Sequence, residues 1–286
     1  MTSTPAGTAV GPLLPAACPL IVGIVNITAD SFSDGGRYLG PAAAIAHARR
    51  LRADGADIIE LGPAASHPDS VPVTAAEEQR RLAPVLGQLA GDGIPVAVDS
   101  FRPETQRFAI SAGATCVNDI HGFSVSGMYP VLAASACRLI VMHCVQPSGP
   151  ATRVATGPAT VWASIGQFFS RRLAALQAAG ISRDRLIIDP GLGYFLGTTP
   201  EPSLAALAGI RELKDNFGIP ILVSPSRKSF LRALTGKDIS RSGPATLAAE
   251  IFAAWQGADY IRTHDVAALR DALTLLAAIT RQARQA

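Results

Sequence analysis

The sequence predicts an α/β fold, and within it a single-domain (β/α)8 TIM barrel. The first observation is that short apolar runs alternate eight times with Ala/Leu/Arg-rich stretches of helical period. The second is that several helix-like stretches end in glycine just before an apolar run, as at Gly55-Ala56-Asp57 and Gly257-Ala258-Asp259. The third is the length of 286 residues, which suits one large barrel core. An open doubly wound sheet is the alternative, and it is disfavoured because no Gly-x-Gly-x-x-Gly sequence follows the first apolar run.

Eight strands are predicted at the apolar runs, each short enough to be a strand buried in a parallel sheet. They are Leu20–Val25, Asp57–Leu61, Pro95–Val98, Thr115–Val117, Arg138–Met142, Arg185–Ile188, Pro220–Val223 and Asp259–Ile261. Helices are predicted between them, where apolar residues recur with helical period. The clearest are Pro41–Asp54, Val161–Ala179 and Asp265–Gln285.

The composition excludes several classes of protein. Residues 1–18 are small and Pro-rich without a basic stretch followed by an apolar core, so we expect a flexible segment rather than a signal peptide, with the barrel domain at residues 19–286. The net charge of +3 and the lack of a Lys/Arg run argue against a nucleic-acid partner. No apolar stretch has the length of a membrane span, and the expected location is the cytoplasm.

The chain has four cysteines, and none of them forms a Cys-x-x-Cys pair. We expect Cys18, Cys116, Cys137 and Cys144 to be buried, reduced thiols rather than disulfide partners or zinc ligands.

Polar or charged residues follow every predicted strand. The carboxyl ends of barrel strands share one rim, where barrel enzymes carry their chemistry, so we expect these residues to converge on one mouth. In strand order they include Asn26; Ser66, His67 and Pro68; Asp99; Asn118; His143; Asp189; Ser226 and Lys228; and Arg262 and His264.

The rim residues are of two chemical kinds. Asp99, Asn118 and Asp189 supply acceptors suited to a flat heterocycle with ring N–H and amino donors. The alternative for each aspartate is a helix cap or an Asx turn, since prolines follow both closely. His143 is interpreted as structural, as are His47 and His121.

The basic kind comes from the last two strands. Lys228, Arg262 and His264 are cationic or can become so, and Asn26 from the first strand lies beside them around a closed barrel. Such a set predicts a phosphate or diphosphate site.

The loop after the first strand is polar, acidic and rich in glycine. Its residue types suit hard cations and phosphate, although an ordinary strand-to-helix turn is the alternative. It consists of Asn26-Ile27-Thr28-Ala29-Asp30-Ser31-Phe32-Ser33-Asp34-Gly35-Gly36.

This loop and five further motifs in register resemble the dihydropteroate synthase family. The others are Val-Asp-Ser at 98–100, Asn-Asp-Ile at 118–120, Asp-Pro-Gly-x-Gly at 189–193, Ser-Arg-Lys-Ser at 226–229 and Arg-x-His at 262–264. The resemblance runs from Leu20 nearly to the end. It implies a pterin-binding (β/α)8 barrel, usually a homodimer, that joins 6-hydroxymethyl-7,8-dihydropterin diphosphate to p-aminobenzoate with Mg²⁺ and releases diphosphate.

The resemblance also implies roles for individual residues. Asp99, Asn118, Asp189 and Lys228 would hold the pterin; Asn26, Arg262 and His264 would hold diphosphate, with Asn26 also on the metal; Ser66, His67, Pro68, Phe195 and Ser226 would shape the p-aminobenzoate site. Asp99, Asp189 and Lys228 are the expected catalytic residues. Loss of diphosphate from the pterin needs charge stabilisation rather than a strong base, so we expect an SN1-like displacement.

Three departures from the family pattern lie around the p-aminobenzoate site. In the first loop, Ala29 replaces a proline. In the second loop, His67 stands where the family has arginine; this loop reads Gly62-Pro63-Ala64-Ala65-Ser66-His67-Pro68-Asp69. After the sixth strand, Phe195 stands where a small residue is common. These features resemble the mobile, sulfonamide-insensitive branch. We expect the Phe195 ring to exclude the extra volume of a sulfonamide.

Two alternatives keep the barrel and change the function. One is a pterin-binding methyltransferase domain that passes a methyl group to a corrinoid protein, and the other is a non-catalytic pterin-binding module. Neither needs a diphosphate site, so Lys228, Arg262 and His264 argue against both.

Overall fold

Eight parallel strands form the centre of the molecule in a computed structural model that describes residues 18–28, 40–283 and 285. They are β1 (Leu20–Asn26), β2 (Ile58–Gly62), β3 (Val96–Asp99), β4 (Cys116–Asp119), β5 (Arg138–Met142), β6 (Leu186–Asp189), β7 (Leu222–Val223) and β8 (Tyr260–Thr263). The sheet order is β6-β5-β4-β3-β2-β1-β8-β7, and a parallel bridge between Ile188 and Ile221 joins its two ends. The sheet therefore closes on itself, which confirms the (β/α)8 barrel and excludes the open sheet.

Helices surround the barrel. Those in the described ranges are α1 (Pro41–Ala53), α2 (Ala75–Gly91), α3 (Pro103–Ser111), α4 (Tyr129–Ala134), α5 (Pro158–Ala178), α6 (Glu201–Ala208), α7 (Ile210–Phe217), α8 (Ser229–Thr235), α9 (Gly243–Gln256) and α10 (Val266–Ala283). Proline begins α1, α3 and α5, where its missing N–H would have no partner within the helix. This explains why α5 begins at Pro158, three residues before the predicted start.

Several strands extend one or two residues past their predicted ends. The ladder continues through the polar residues, because Asn26 pairs with Gly62 and Asp99 pairs with Asn118 in the strand register. The exception is β7, which has two residues and is shorter than predicted. The polar side chains are thus held on rigid strand ends rather than in loops.

Alternation along the strands decides which side chains face the barrel interior. Inside, Ala97 and Cys116 pack in one cluster with residues of five other strands, while Val98 and Val117 belong to the larger layer between strands and helices. Side chains two positions apart share a face, so Asp99 follows Ala97 and Asn118 follows Cys116 into the interior. The same count places Asn26, Glu60, Asp189 and Arg262 inside.

Two of the cysteine expectations are wrong. Cys116 and Cys137 are buried, but Cys18 is exposed and Cys144 is half-buried, and all four are free thiols. Cys18 lies two residues before β1 at the amino end of the barrel, and Cys144 lies in the loop after β5, so neither is enclosed by both layers.

Part of the amino-terminal prediction lies outside the described residues, which begin at Cys18. The flexible segment therefore stays a prediction. Within the described ranges, no helix combines the length and apolar character that crossing a membrane requires.

Candidate active site

A cavity of about 230 Å³ opens at the carboxyl ends of the strands. Most of the predicted site residues line it: Asn26, Ser66, His67, Asp99, Phe195, Ser226, Lys228, Arg262 and His264. Pro68, Asn118 and Asp189 are not among the described residues that line it. Asn118 and Asp189 are instead buried at strand ends of the barrel interior, and Pro68 is the next residue of the His67 loop.

The acidic side of the site consists of Asp99, Asn118 and Asp189, and some of their side-chain oxygens have no hydrogen-bond donor within the described ranges. The amide Nδ2 of Asn118 donates to Oδ1 of Asp99 at 3.0 Å. Asp189 accepts the Gly191 N–H through Oδ1 at 2.8 Å, so the Asx turn considered from the sequence is present. Among the described residues, Asn118 Oδ1 and Asp189 Oδ2 are buried without a hydrogen-bond partner. A ligand with several N–H donors would satisfy such acceptors.

Arg262 connects the acidic and basic sides. Its Nη1 donates to both carboxylate oxygens of Glu60, at 2.8 and 2.9 Å, and its Nη2 lies 3.9 Å from Oδ2 of Asp189. All three side chains are buried. The acidic and basic groups predicted from different strands are therefore adjacent.

Glu60 is a site residue that the sequence analysis missed. It lines the cavity although it belongs to the apolar run of β2, where it was counted as part of a strand. A carboxylate within a buried strand rarely occurs without a buried cation beside it. That single charge among apolar neighbours was the signal that could have identified it.

Ser226 and His264 form one unit, although their predicted roles were separate. Nδ1 of His264 lies 2.9 Å from Oγ of Ser226, which also accepts the backbone N–H of His264 at 3.3 Å. Burial first, and then Arg227, Lys228 and Arg262, hold the pKa of His264 well below its usual range. These interactions favour the neutral ring of His264, and its assignment to diphosphate stays a prediction.

Burial also shifts Asp99, Asp189 and Lys228 toward neutrality, and it raises the pKa of Asp189 against the opposing effect of Arg262. It raises the pKa of Asp99 to about 7, reinforced by Glu60 and opposed by Arg262 and Lys228. It lowers the pKa of Lys228 to about 8, with Arg262 acting in the same direction and Asp189 and Asp99 against it. Asp99 and Lys228 thus change charge close to physiological pH, as functional groups in clefts often do.

One side of the cavity is formed by the loops after β2, β5 and β6. Phe195 is 7% exposed and packs against Ile120, Met142 and Ala151, and Nζ of Lys228 lies 4.8 Å from the centroid of its ring. The ring therefore forms a fixed wall of the cavity beside a buried cation.

Glycine is required in the Asp-Pro-Gly motif. Gly191 has a φ of +76°, and a Cβ there would lie 2.4 Å from the carbonyl oxygen of His143. No other residue type allows the chain to pass this close to β5 while Asp189 stays in place.

The three histidines predicted to be structural, His47, His121 and His143, are not among the described residues that line the cavity. His143 is buried on the helix side, where Nε2 lies 3.1 Å from Oγ of Ser164, and burial lowers its pKa to about 4. In the first loop, Asn26 and Thr28 line the cavity, whereas residues 29–36 lie outside the described residues.

Comparisons with known proteins agree in sequence and structure. The model of the pterin binding enzyme family matches residues 22–264, a span that includes every predicted site residue. The chain is 55% identical over 265 residues to dihydropteroate synthase type-2 of Escherichia coli, covering 93% of this chain and 97% of that protein.

Two solved structures share the fold over nearly the whole chain. Dihydropteroate synthase of Xanthomonas albilineans with 4-aminobenzoic acid has a TM-score of 0.82 and 36% identity, covering 92% of this chain and 93% of that one. The Burkholderia cenocepacia enzyme complexed with 7,8-dihydropteroate has a TM-score of 0.83 and 31% identity, covering 94% of each chain.

Proposed function

The chain belongs to the pterin binding enzyme family and within it to the dihydropteroate synthases, and from this premise we propose how its barrel mouth makes 7,8-dihydropteroate. The enzyme condenses 6-hydroxymethyl-7,8-dihydropterin diphosphate with p-aminobenzoate and releases diphosphate, a step of folate synthesis. The observation that carries the proposal is the adjacency of acidic and basic groups, with Arg262 Nη2 3.9 Å from Asp189 Oδ2.

We assign the pterin to Asp99, Asn118, Asp189 and Lys228. The support is chemical: the buried, unpartnered oxygens of Asn118 and Asp189 accept hydrogen bonds from a ring with several N–H groups. A bound pterin would satisfy both acceptors and so offset the cost of burying them.

We assign the diphosphate to the opposite, basic side of the same cavity. Arg262 and Lys228 supply positive charge, Asn26 an amide, and the neutral His264 a hydrogen bond. Glu60 fixes the guanidinium of Arg262 through two hydrogen bonds, so that Nη2 remains directed toward Asp189.

The charge distribution favours an SN1-like displacement. The C–O bond to diphosphate breaks and its electron pair leaves with the diphosphate, which creates a cation delocalised over the pterin. Three carboxyl groups, Glu60, Asp99 and Asp189, stand against the two cations Lys228 and Arg262. A developing positive charge favours the ionised forms of Asp99 and Asp189, whose pKa values burial raises, and these carboxylates then stabilise it; the neutral aryl amine attacks the cation and loses a proton. Asp99, Asp189 and Lys228 act directly on the pterin in this scheme.

Mg²⁺ is proposed as the cofactor, with Asn26 as its protein ligand. No group of three His, Cys, Asp or Glu side chains in the described ranges could hold a metal alone. Mg²⁺ in phosphate-transferring sites often takes only one or two protein oxygens, the rest coming from substrate phosphates and water, so an amide oxygen at the cavity wall fits. When bound, the ion neutralises charge on the leaving diphosphate.

p-Aminobenzoate is assigned to one side of the cavity, which we call the aryl side. It is formed by Ser66, His67, Pro68, Phe195 and Ser226. Because the Phe195 ring is a packed wall, it limits the width of this side. We propose that the limit admits p-aminobenzoate and excludes the bulkier sulfonamides, so that the enzyme is insensitive to these drugs.

The steric proposal predicts that Phe195→Gly restores drug sensitivity. Removing the ring opens the wall, and the inhibition constant of sulfamethoxazole should fall about tenfold or more, the scale of a removed apolar obstruction. The measurement is inhibition of diphosphate release, with thermal melting to confirm folding. An inhibition constant unchanged in the folded variant would contradict the steric role, and a sensitive parent enzyme would contradict insensitivity itself.

The function is tested by incubating the purified chain with dihydropterin diphosphate, p-aminobenzoate and Mg²⁺. We expect diphosphate release that depends on p-aminobenzoate, with 7,8-dihydropteroate identified by mass spectrometry. Methyl transfer from a methylated pterin to a corrinoid, without diphosphate release, would support the methyltransferase alternative. Pterin binding with neither reaction would support the non-catalytic module.

A homodimer and a cytoplasmic location complete the proposal. Exposed apolar side chains on the neighbouring helices α9 and α10, namely Trp255, Leu275 and Ile279, supply a surface that a second copy could cover. The cytoplasmic location is proposed from the sequence alone.

A further inference from the structure

The loop between β5 and α5, residues 143–157, joins the two loops that carry His67 and Phe195. On one side, the N–H of Ala151 donates to the carbonyl of Ser66 at 3.0 Å. On the other, Val145 N–H donates to the carbonyl of Phe195 at 2.9 Å, and Thr198 N–H donates to the carbonyl of Val154 at 3.1 Å. The 143–157 loop is therefore a bridge across the aryl side of the cavity.

Gln146 holds the backbone beside Phe195. It is 5% exposed, and its Nε2 donates to the carbonyl of Tyr194 at 2.9 Å and to that of Thr152 at 3.2 Å. Val145 and Gln146 thus fix the carbonyls of two consecutive residues, Tyr194 and Phe195. Such a pair of buried hydrogen bonds restrains the backbone from which the Phe195 ring projects.

Arg153 performs a similar task for the His67 loop. Its guanidinium donates to both carboxylate oxygens of Asp69, at 2.8 and 2.5 Å, and lies 5.7 Å from the centroid of the Tyr194 ring. Asp69 in turn donates its N–H to Nδ1 of His67 at 3.2 Å. Arg153 therefore ties the orientation of His67 to the loop that carries Phe195, through a bidentate geometry that is more directional than a single contact.

Ala151 completes the arrangement. It is 2% exposed, lines the cavity, and packs in one cluster with Phe195. Because Ala151 lines the cavity next to Phe195 and its N–H is bonded to Ser66, the 143–157 loop also supplies part of the wall.

We propose that the 143–157 loop is a specificity element of the aryl-amine subsite, in which Gln146 and Arg153 are positioning residues for Phe195 and His67. The inference rests on the proposed function. Since a wall discriminates by size only when it cannot move, loosening the bridge should admit bulkier aryl amines even though Phe195 itself is retained.

The test is Gln146→Leu, which keeps the volume and removes both hydrogen bonds. We expect the inhibition constant of sulfamethoxazole, divided by the KM of p-aminobenzoate, to fall about threefold to tenfold, the scale of one or two lost hydrogen bonds. The KM of the pterin diphosphate should stay unchanged. Gln167→Leu, on an exposed position of α5, is the matched control and should leave the ratio as it is.

Two further variants test the proposal even if Gln146→Leu fails to fold. Arg153→Gln, an exposed position, should lower the same ratio, whereas Arg171→Gln on the surface of α5 should not. In a Phe195→Gly background, Gln146→Leu should have no additional effect, because the ring that it positions is gone.

The outcomes separate this inference from the proposed function. Variants that turn over normally with unchanged ratios would overturn the positioning role, as would full additivity with Phe195→Gly. Failure of the unmodified chain to form dihydropteroate would overturn the proposed function and this inference with it.

Discussion

At the scale of single residues, Asp99 shows how position in the barrel changes the chemistry of a side chain. Strand alternation places it inside, where Asn118 donates to it and two cations lie close by. Burial nevertheless outweighs these interactions and raises its pKa from 3.8 to about 7. The carboxylate is thus held in an environment that disfavours its charge until a cationic ligand arrives.

Asp99→Asn should reduce turnover far more than it affects folding. Because the folded-state pKa exceeds the unfolded value, the contribution of Asp99 to stability is full below pH 3.8 and is lost as the pH rises through about 7. At pH 8 the variant should therefore melt no lower than the parent. Turnover should fall on the order of 100-fold, as when one charge-stabilising group is removed from an active site.

The check is kcat alongside the melting temperature, with the exposed Asp54→Asn as control. Unchanged turnover in folded Asp99→Asn would remove Asp99 from the mechanism.

The pH dependence of kcat/KM for the pterin diphosphate should be a narrow bell. The acid limb should rise near pH 7 as Asp99 loses its proton, and the basic limb should fall near pH 8 as Lys228 loses its own. A pH-rate profile of the free enzyme measures both limbs. Asp99→Asn should lack the acid limb, so an identical limb in that variant would assign it to another group.

At the scale of elements, the aspartate before β8 adds a side-chain contact to the short pairing between β7 and β8 at the amino end of the barrel. Oδ2 of Asp259 accepts the N–H of Ile221 at 2.8 Å, while Oδ1 accepts Nζ of Lys214 at 2.7 Å. The same tripeptide, Gly-Ala-Asp, places Asp57 to accept the N–H of Ile21 at 2.8 Å and pair with Arg270. In both places a carboxylate directly before one strand accepts an N–H at the start of the neighbouring strand.

Asp259→Ala should destabilise the protein by about 1–2 kcal/mol, since it leaves the N–H of Ile221 without its side-chain acceptor. Loss of the partly exposed ion pair with Lys214 should add little to this change in the free energy of unfolding. Urea unfolding measures the change. The exposed Asp271→Ala on α10 is the control and should stay within about 0.5 kcal/mol of the parent. Equal stability of the two variants would show that β7 does not depend on this contact.

At the scale of the whole molecule, we propose that a second copy binds the apolar surface of α9 and α10. Trp255 is 46% exposed and stacks edge-on against Phe252, and Leu275 and Ile279 are 62% and 44% exposed. Large aromatic side chains often dominate such interfaces.

Light scattering should accordingly give about twice the chain mass of 29.6 kDa. Trp255→Glu should weaken association at least about tenfold, because it buries a charge at the centre of the contact. Val125→Glu, at an exposed apolar position outside these two helices, should leave the mass unchanged. A monomeric parent, or equal effects of both variants, would place the interface elsewhere or remove it.

The alternation of apolar and helical segments was enough to predict the barrel. The barrel also predicted that Asn26, Asp99, Lys228 and Arg262 meet at one mouth, because the carboxyl ends of all strands in a closed parallel sheet lie at the same end of the barrel. Glu60 was missed because a run of mostly apolar residues was interpreted as a whole. The preference of His264 for its neutral form could not be predicted, because its pKa depends on burial and on cations that folding brings near.

The sequence by itself therefore determined the architecture and most of the polar side chains that meet at the barrel mouth, since both follow from local periodicity and from residue type. Only the tertiary structure decided which of these groups are charged, that Glu60 secures Arg262, and that the 143–157 loop spans the aryl side. These properties arise from distances and burial among residues far apart in the chain, and no local pattern encodes them.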